Sequence, residues 1–419
     1  MNRKIYIALL LLLVGLNAQS MYLLIPMDDS QKNHLKAYGI AYWVLNNDIE
    51  VKWLLNYRGG SFLMQQSKVI ENECTIRGVS FETMPDARAT AILNEIAQPE
   101  VNQDAVSMNK APRIAVYSPS NKQPWDDAVT LVLTYAEIDY DVIYDEEIIA
   151  GNLSDYDWLH LHHEDFTGQF GKFWQAYKNA PWYQQDVSIN RELAKKLGFL
   201  KVSEMKGKVT QIIENYVIRG GFLFAMCAAT DTYDISLAAA GIDICESMFD
   251  GDPADKQANE KLNFTNTLAF ENFKLVESPY VYEFSDIDAT ESRKVARDND
   301  YFTLFEFSAK WDPIPTMLCQ DHKNLIKGFL GQTTAFRKDV IKPNVLIMGE
   351  NKPANEARYI HGEKGKGFWT FYGGHDPEDY RHLVGDPPTD LSLHPNSPGY
   401  RLILNNVLFP AAKKKKRKT

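Results

Sequence analysis

Apolar positions along this chain recur with two periods, and the switches between them mark out the elements. Tyr22–Ile25 is a short apolar run that predicts a strand, followed by a proline-bearing loop over 26–30. Across 31–46, Leu35, Tyr38, Tyr42 and Leu45 share one helical face, and 49–55 returns to strand character. The same order recurs at 113–144: strand 113–117, loop 118–124, helix 125–137, strand 140–144. Strand, loop, helix, strand is the βαβ pattern of a parallel sheet. Between the two units, 75–81 predicts a strand and 86–96 a helix, with a boundary near Asn109.

Beyond the second unit, 156–163 alternates as a strand, 204–219 predicts a helix, and an apolar strand runs into Cys227. Residues 250–335 keep no period and read as irregular cover over a sheet edge. Val345–Met348 predicts a strand, 357–360 and 367–372 flank a glycine-lysine turn as a hairpin, and 399–409 is a closing helix. The fold class expected is α/β, a mainly parallel doubly wound sheet over 111–412 preceded by an N-terminal βαβ region over 21–110.

The ends differ from the body. Arg3 and Lys4 precede the apolar run Ile5–Leu16, and Ala18-Gln19-Ser20 offers small residues for cleavage, so 1–20 reads as a secretory signal. The run is too short to span a bilayer. The expected location is therefore periplasmic or secreted. The 419 residues carry a formal charge of −10, which argues against nucleic acid as a partner. Lys413–Lys418 forms a separate basic tail, a solvated end or a contact for an anionic surface. Four cysteines, Cys74, Cys227, Cys245 and Cys319, lack zinc-finger spacing, and a Cys227–Cys245 disulfide is open in an oxidising compartment.

Three groups could carry chemistry. Cys227 ends the run Gly220–Met226 and is followed by Ala228-Ala229-Thr230-Asp231, a strand turning sharply into a helix. A thiol at such a corner sits near free helix N–H groups, which favour its ionisation. His375, with Asp376 and Glu378, follows the strand 367–372 and supplies a base with an orienting acid. His160, His162 and His163 lie on one strand. His160 and His162 share a face and are candidates to chelate a metal, with Glu164 or His382 completing the set. Without metal, these three are candidate substrate contacts. Arg58, before Gly59-Gly60, is a candidate anion contact.

The run Gly220-Gly221-apolar-Cys227-Ala228-Ala229-Thr230-Asp231, followed by Gly365-Lys366-Gly367-strand-Gly374-His375-Asp376-Pro377-Glu378, resembles the class I glutamine amidotransferase-like superfamily. Its ThuA-like branch is the nearest in look, over about 111–412. That resemblance implies a flavodoxin-like sheet with a nucleophile-elbow position and a downstream His-carboxylate loop. Ala225 and Ala229 stand where amidotransferases carry glycine, and Asp376 interrupts their His-Pro-Glu. Through Trp53–Phe62 and 375–401 the chain is also similar to a bacterial family catalogued as asparagine synthetase B. The N-terminal cysteine and pyrophosphate loop of glutamine-dependent asparagine synthetases are not in the chain, where Asn2 follows Met1. The expected function is a secreted hydrolase of an amide, peptide or sugar derivative. Cys227 would be the nucleophile, His375 the base, and Glu378 or Asp376 the orienting acid, with no cofactor. The alternatives are a non-catalytic carbohydrate or cell-wall binding module and a metal-dependent enzyme.

Overall fold

The computed structural model describes residues 21–412 apart from 122, 291 and 382, so the leader-like segment, the basic tail and His382 lie outside it. β1 (Met21–Ile25), β2 (Val51–Leu55), β3 (Ser61–Gln65), β4 (Glu82–Pro85) and β5 (Asp104–Met108) form one sheet in the order β4-β1-β3-β2-β5. Every neighbouring pair in it is antiparallel. The expected βαβ unit is therefore split: α1 (His34–Asn46) connects β1 to β2, but β3 lies between them. The cause is the turn after β2, where Asn56, Arg58, Gly59 and Gly60 all have positive φ. The chain reverses there and β3 pairs with β2 directly. At Gly59 any Cβ would meet the Met27 carbonyl oxygen at 2.3 Å, so only glycine fits.

The strand expected over 75–81 is instead the end of α2 (Lys68–Arg77). The Ser67 side chain caps its start by accepting from the Ile70 N–H at 3.2 Å, and left-handed Gly78 ends it. Those two caps outweigh the β-branched content between them. α3 (Asp86–Ile96) covers the outer face of this sheet, placing Ile92 and Ile96 on Leu24, Leu54 and Leu63.

The second sheet is built from β6 (Ile114–Tyr117), β7 (Asp141–Ile143), β8 (Trp158–Leu161), β9 (Phe222–Met226), β10 (Tyr301–Leu304), β11 (Leu325–Lys327), β12 (Phe336–Arg337), β13 (Leu346–Asn351), β14 (Glu356–Lys364) and β15 (Gly367–Tyr372). Its order is β11-β10-β13-β14-β15-β9-β8-β6-β7, with β12 on β14. From β15 to β7 the neighbours are parallel; from β11 to β15 they are antiparallel. The sheet is thus parallel along one edge only, which corrects the mainly parallel expectation. The 250–335 segment supplies β10 and β11 rather than irregular cover alone.

Side-chain alternation gives the parallel strands two buried faces. Trp158, Phe222, Phe224, Phe368 and Tyr372 pack toward α1, α4 (Ala128–Ala136) and α7 (Pro398–Leu408). Leu159, Leu223, Ala225, Trp369 and Phe371 pack toward α5 (Val202–Arg219) and α6 (Ala228–Ala238). No helix among the described residues is long and apolar enough to cross a membrane.

A buried polar network ties the two sheets together. Arg401 on α7 is fully buried and donates to Tyr38 Oη on α1 (3.1 Å), to the Met27 carbonyl (3.0 Å) and to the Gly59 carbonyl. Tyr38 in turn donates to Asn405, whose amide donates to the Leu318 and Gln320 carbonyls. Removing one member of such a set strands the others without partners. Replacing Arg401 with leucine is expected to cost about 3–5 kcal/mol in chemical denaturation. A loss below about 1 kcal/mol, the scale of an exposed ion pair, would show that the network does not hold the sheets.

Candidate functional site

In register, Val116 pairs with His160, Leu161 with Ala225, and Tyr372 with Met226. The carboxyl ends of β6, β8, β9 and β15 therefore lie side by side. The residues that follow them, Asp126 and Asp127, His162 and His163, Cys227, and His375, meet at one sheet edge. Parallel sheets bind ligands at this edge, because loops and helix starts converge there.

Cys227 takes up the elbow expected of it. It is the residue before α6, with φ 50° and ψ −140°, a conformation that costs a non-glycine residue about 1–3 kcal/mol. Its thiol is 3 % exposed, packs in the core on the α5–α6 face, and accepts from the Gln332 N–H at 3.3 Å. Burial pushes it up to about 11, against the backbone N–H groups of Gln332, Ala228 and Thr333. The expected ease of ionisation is thus overturned by desolvation. All four cysteines are free, so the Cys227–Cys245 disulfide is not formed.

His375 takes a different direction. Its Nε2 is 3.1 Å from the Asp126 carbonyl oxygen, and its ring lies 4.4 Å from that of His162 and 5.8 Å from that of His163. Glu378 is 3.1 Å from His394 Nδ1, and buried Asp376 accepts from Thr389 Oγ1 at 2.6 Å and from the Glu378 N–H at 2.9 Å. These contacts set His375 beside the His162 and His163 rings and the Asp126 carbonyl, and Glu378 and Asp376 beside His394 and Thr389. Arg58 is also committed elsewhere: in the first sheet it binds Asp28 and Glu82, each at 2.6 Å. Its charge is answered there, in the turn after β2.

What the fold assembles instead is a histidine cluster around Asp127. The Asp127 side chain caps α4, accepting from the Val129 and Thr130 N–H groups at 2.7 and 2.9 Å. The same carboxylate lies 3.1 Å from His160 Nε2 and 3.3 Å from His162 Nδ1. Burial works to raise Asp127, but the two imidazoles hold it well below the carboxylate range. His160 Nδ1 faces the Phe224 carbonyl at 3.3 Å, so both of its nitrogens face acceptors. His160 thereby supports Asp127, and Asp127, His160 and His162 also place one ligand atom each within 4.8 Å of the others, so the expected pair His160 and His162 shares a second candidate metal group. His162 is 1 % exposed, and among the described residues neither of its ring nitrogens has a hydrogen-bond partner, although Nδ1 lies beside Asp127. One ligand nitrogen each from His162, His163 and His375 lies within 4.8 Å of the others. Trp125 meets the His163 ring edge-on at 5.2 Å and is backed by Phe173 and Trp182.

Asp127, Trp125 and Gln332 were not legible as site residues. Asp127 had a usable signal, an N-cap residue type directly before the apolar run 128–133. Gln332 lies in an aperiodic stretch with no such mark. A consequence of the buried thiol is measurable. Native Cys227 should react with iodoacetamide only slowly at pH 8, with the rate rising about tenfold per pH unit toward pH 11, as the thiolate fraction does. A rate that plateaus below pH 8.5 would show a poised thiolate instead.

No protein-family model matches the chain, and no curated protein matches it in sequence. Among solved structures, it is similar to the cytoplasmic protein STM3548 from Salmonella typhimurium, with 11 % identity, 72 % of this chain and 100 % of that chain covered, and a TM-score of 0.37. It is also similar to the cytoplasmic protein STM1381 from Salmonella typhimurium LT2, at 14 % identity, the same coverage, and 0.36. A GH42 beta-galactosidase, Gan42B, matches at 12 % identity and 0.27 over 64 % of this chain but 28 % of its own length. At such TM-scores these likenesses carry no argument about the chain.

Proposed function

We propose that this chain is an exported, metal-dependent hydrolase on a flavodoxin-like, doubly wound sheet of the amidotransferase-like kind. The strand order β7-β6-β8-β9-β15, which is 2-1-3-4-5 among the parallel strands, supports the fold assignment. The leader-like segment at 1–20 supports export. The observation that carries the function is His162: buried, its Nδ1 toward Asp127 and its Nε2 unpartnered beside His163 and His375.

Carboxylate, histidine and an open nitrogen form the outer and inner parts of a zinc site. With Nδ1 turned to the Asp127 carboxylate at 3.3 Å, Nε2 is the nitrogen of His162 left to face an ion. Three neutral imidazoles suit zinc and leave a fourth position for substrate. His162, His163 and His375, whose ligand nitrogens lie within 4.8 Å of one another, would hold the ion. A zinc ion held there supplies a Lewis acid that polarises a carbonyl and acidifies water. Asp127 orients His162, His160 steadies Asp127, and Trp125 keeps bulk water off His163. The substrate class is an amide, peptide or sugar derivative.

The strained backbone of Cys227 favours a second reading, in which its thiol attacks an acyl carbon and the Gln332 and Thr333 N–H groups hold the oxyanion. Metal stoichiometry separates the two. After equilibrium dialysis against zinc, the wild type should hold one ion per chain by elemental analysis. His162→Ala and His375→Ala should each lose it, Asp127→Asn should weaken it about 10–100-fold, and Cys227→Ser should leave it unchanged. A wild type that holds no ion, or histidine variants that keep it, would exclude the metal reading.

A further inference from the structure

The pair Thr230-Asp231 behind Cys227 has no part in the histidine cluster as described so far. Asp231 stands in the first turn of α6 and is fully buried. A helix start favours a carboxylate, yet burial pushes this one up to about 7. Its Oδ1 accepts from the Thr333 hydroxyl and from the Thr232 N–H, each at 2.9 Å. The first of these bonds reaches out of the helix to a loop.

That loop, 330–334, is neither helix nor strand. It closes on itself: the Gly331 N–H donates to Thr334 Oγ1 at 3.1 Å, and the same hydroxyl donates back to the Gly331 carbonyl at 3.0 Å. On one side the loop carries the histidine. The His375 N–H donates to the Leu330 carbonyl at 2.9 Å, and the Gly374 N–H donates to the Thr333 carbonyl at 2.8 Å. Backbone meets backbone here, since a Cβ on Gly331 would lie 2.8 Å from the His375 nitrogen. On the other side, side chains hold the loop. The Thr334 N–H donates to Asp288 at 3.3 Å, the Gln332 amide to the Gly171 carbonyl at 2.8 Å, and the Thr333 hydroxyl to Asp231. Thr333 therefore works at both ends. Its carbonyl holds the residue before His375, and its hydroxyl is held by α6.

We propose that Asp231 is a positioning residue of the histidine cluster: acting through Thr333, it fixes the backbone that carries His375 and so the placement of the His375 ring against His162. The ring has its own hold on the α4 side, where Nε2 faces the Asp126 carbonyl at 3.1 Å. Its backbone is held from the α6 side. Both holds are needed to keep the ring 4.4 Å from that of His162. The consequence for zinc rests on the metal reading of the cluster; the placement of His375 needs no metal.

Two readouts on the full chain test this. In metal-free protein, amide hydrogen exchange at Gly374 and His375 is followed by NMR. Thr333→Val, which removes the hydroxyl, and Asp231→Leu, which removes the acceptor, should each speed it about tenfold. Thr333→Ser and Asp231→Asn, which keep the bond, should stay within about twofold of the wild type. The Val129 and Thr130 amides, bonded to Asp127, should not change in any variant, which separates a local release from a general loss of stability. In the presence of zinc, chelator competition should show binding weakened about tenfold in Thr333→Val and kept in Thr333→Ser. If Asp231→Leu does not fold, the two Thr333 variants decide. Unchanged exchange in Thr333→Val, exchange that rises equally at Val129 and Thr130, or zinc held by Thr333→Val as tightly as by the wild type would each overturn the proposal. A wild type that binds no zinc would remove the metal reading alone, and the exchange rates would still decide the role of Asp231.

Discussion

The candidate site depends on one carboxylate, Asp127. It ends the loop after β6, satisfies two free N–H groups at the start of α4, and faces both His160 and His162. A capping carboxylate typically contributes about 1 kcal/mol to its helix. Here the cap also fixes where that charge sits, at the carboxyl ends of the parallel strands. Helix, sheet and histidines thus share one anchoring point. A shift in α4 would move Asp127 and with it the imidazole whose far nitrogen is open.

The elbow at Cys227 shows how burial can defeat a favourable local geometry. A helix start contributes about 0.3–1 kcal/mol toward a negative charge. The thiol moves the other way, up to about 11, a cost on the order of 3 kcal/mol. Desolvation wins because the residue faces the α5–α6 core rather than the open edge. The alternation along β8 and β9 sets this. His160 packs with Trp158 and Phe224 toward α4, whereas Cys227 packs with Leu161 and Ala225 on the far face. His375, turned to His162, follows the first group.

The periodic parts of the chain were readable. Helix α3 and the strands ending at His162, Cys227 and His375 follow from local pattern, and so does their meeting at one edge of an α/β sheet. Two kinds of information were not local. Whether β2 pairs beside β1 or past it depended on a turn built from positive-φ Asn56, Arg58 and glycines, and on β3, whose five residues carry little signal alone. Which partner His375 faces depended on a loop at 330–334 that threads between β15 and α6, with Leu330 accepting from the His375 N–H and Thr333 donating to Asp231. Sequence adjacency suggested Asp376 and Glu378 as partners, but each answers another side chain.

The most direct test of this account is anomalous diffraction at the zinc edge from crystals of the full chain grown with zinc. The account predicts one dominant peak bounded by His162, His163 and His375, with Asp127 on the far side of the His162 ring. An empty cluster, or a peak only at another acidic or thiol group such as Asp243, Cys245 and Asp250, would contradict it.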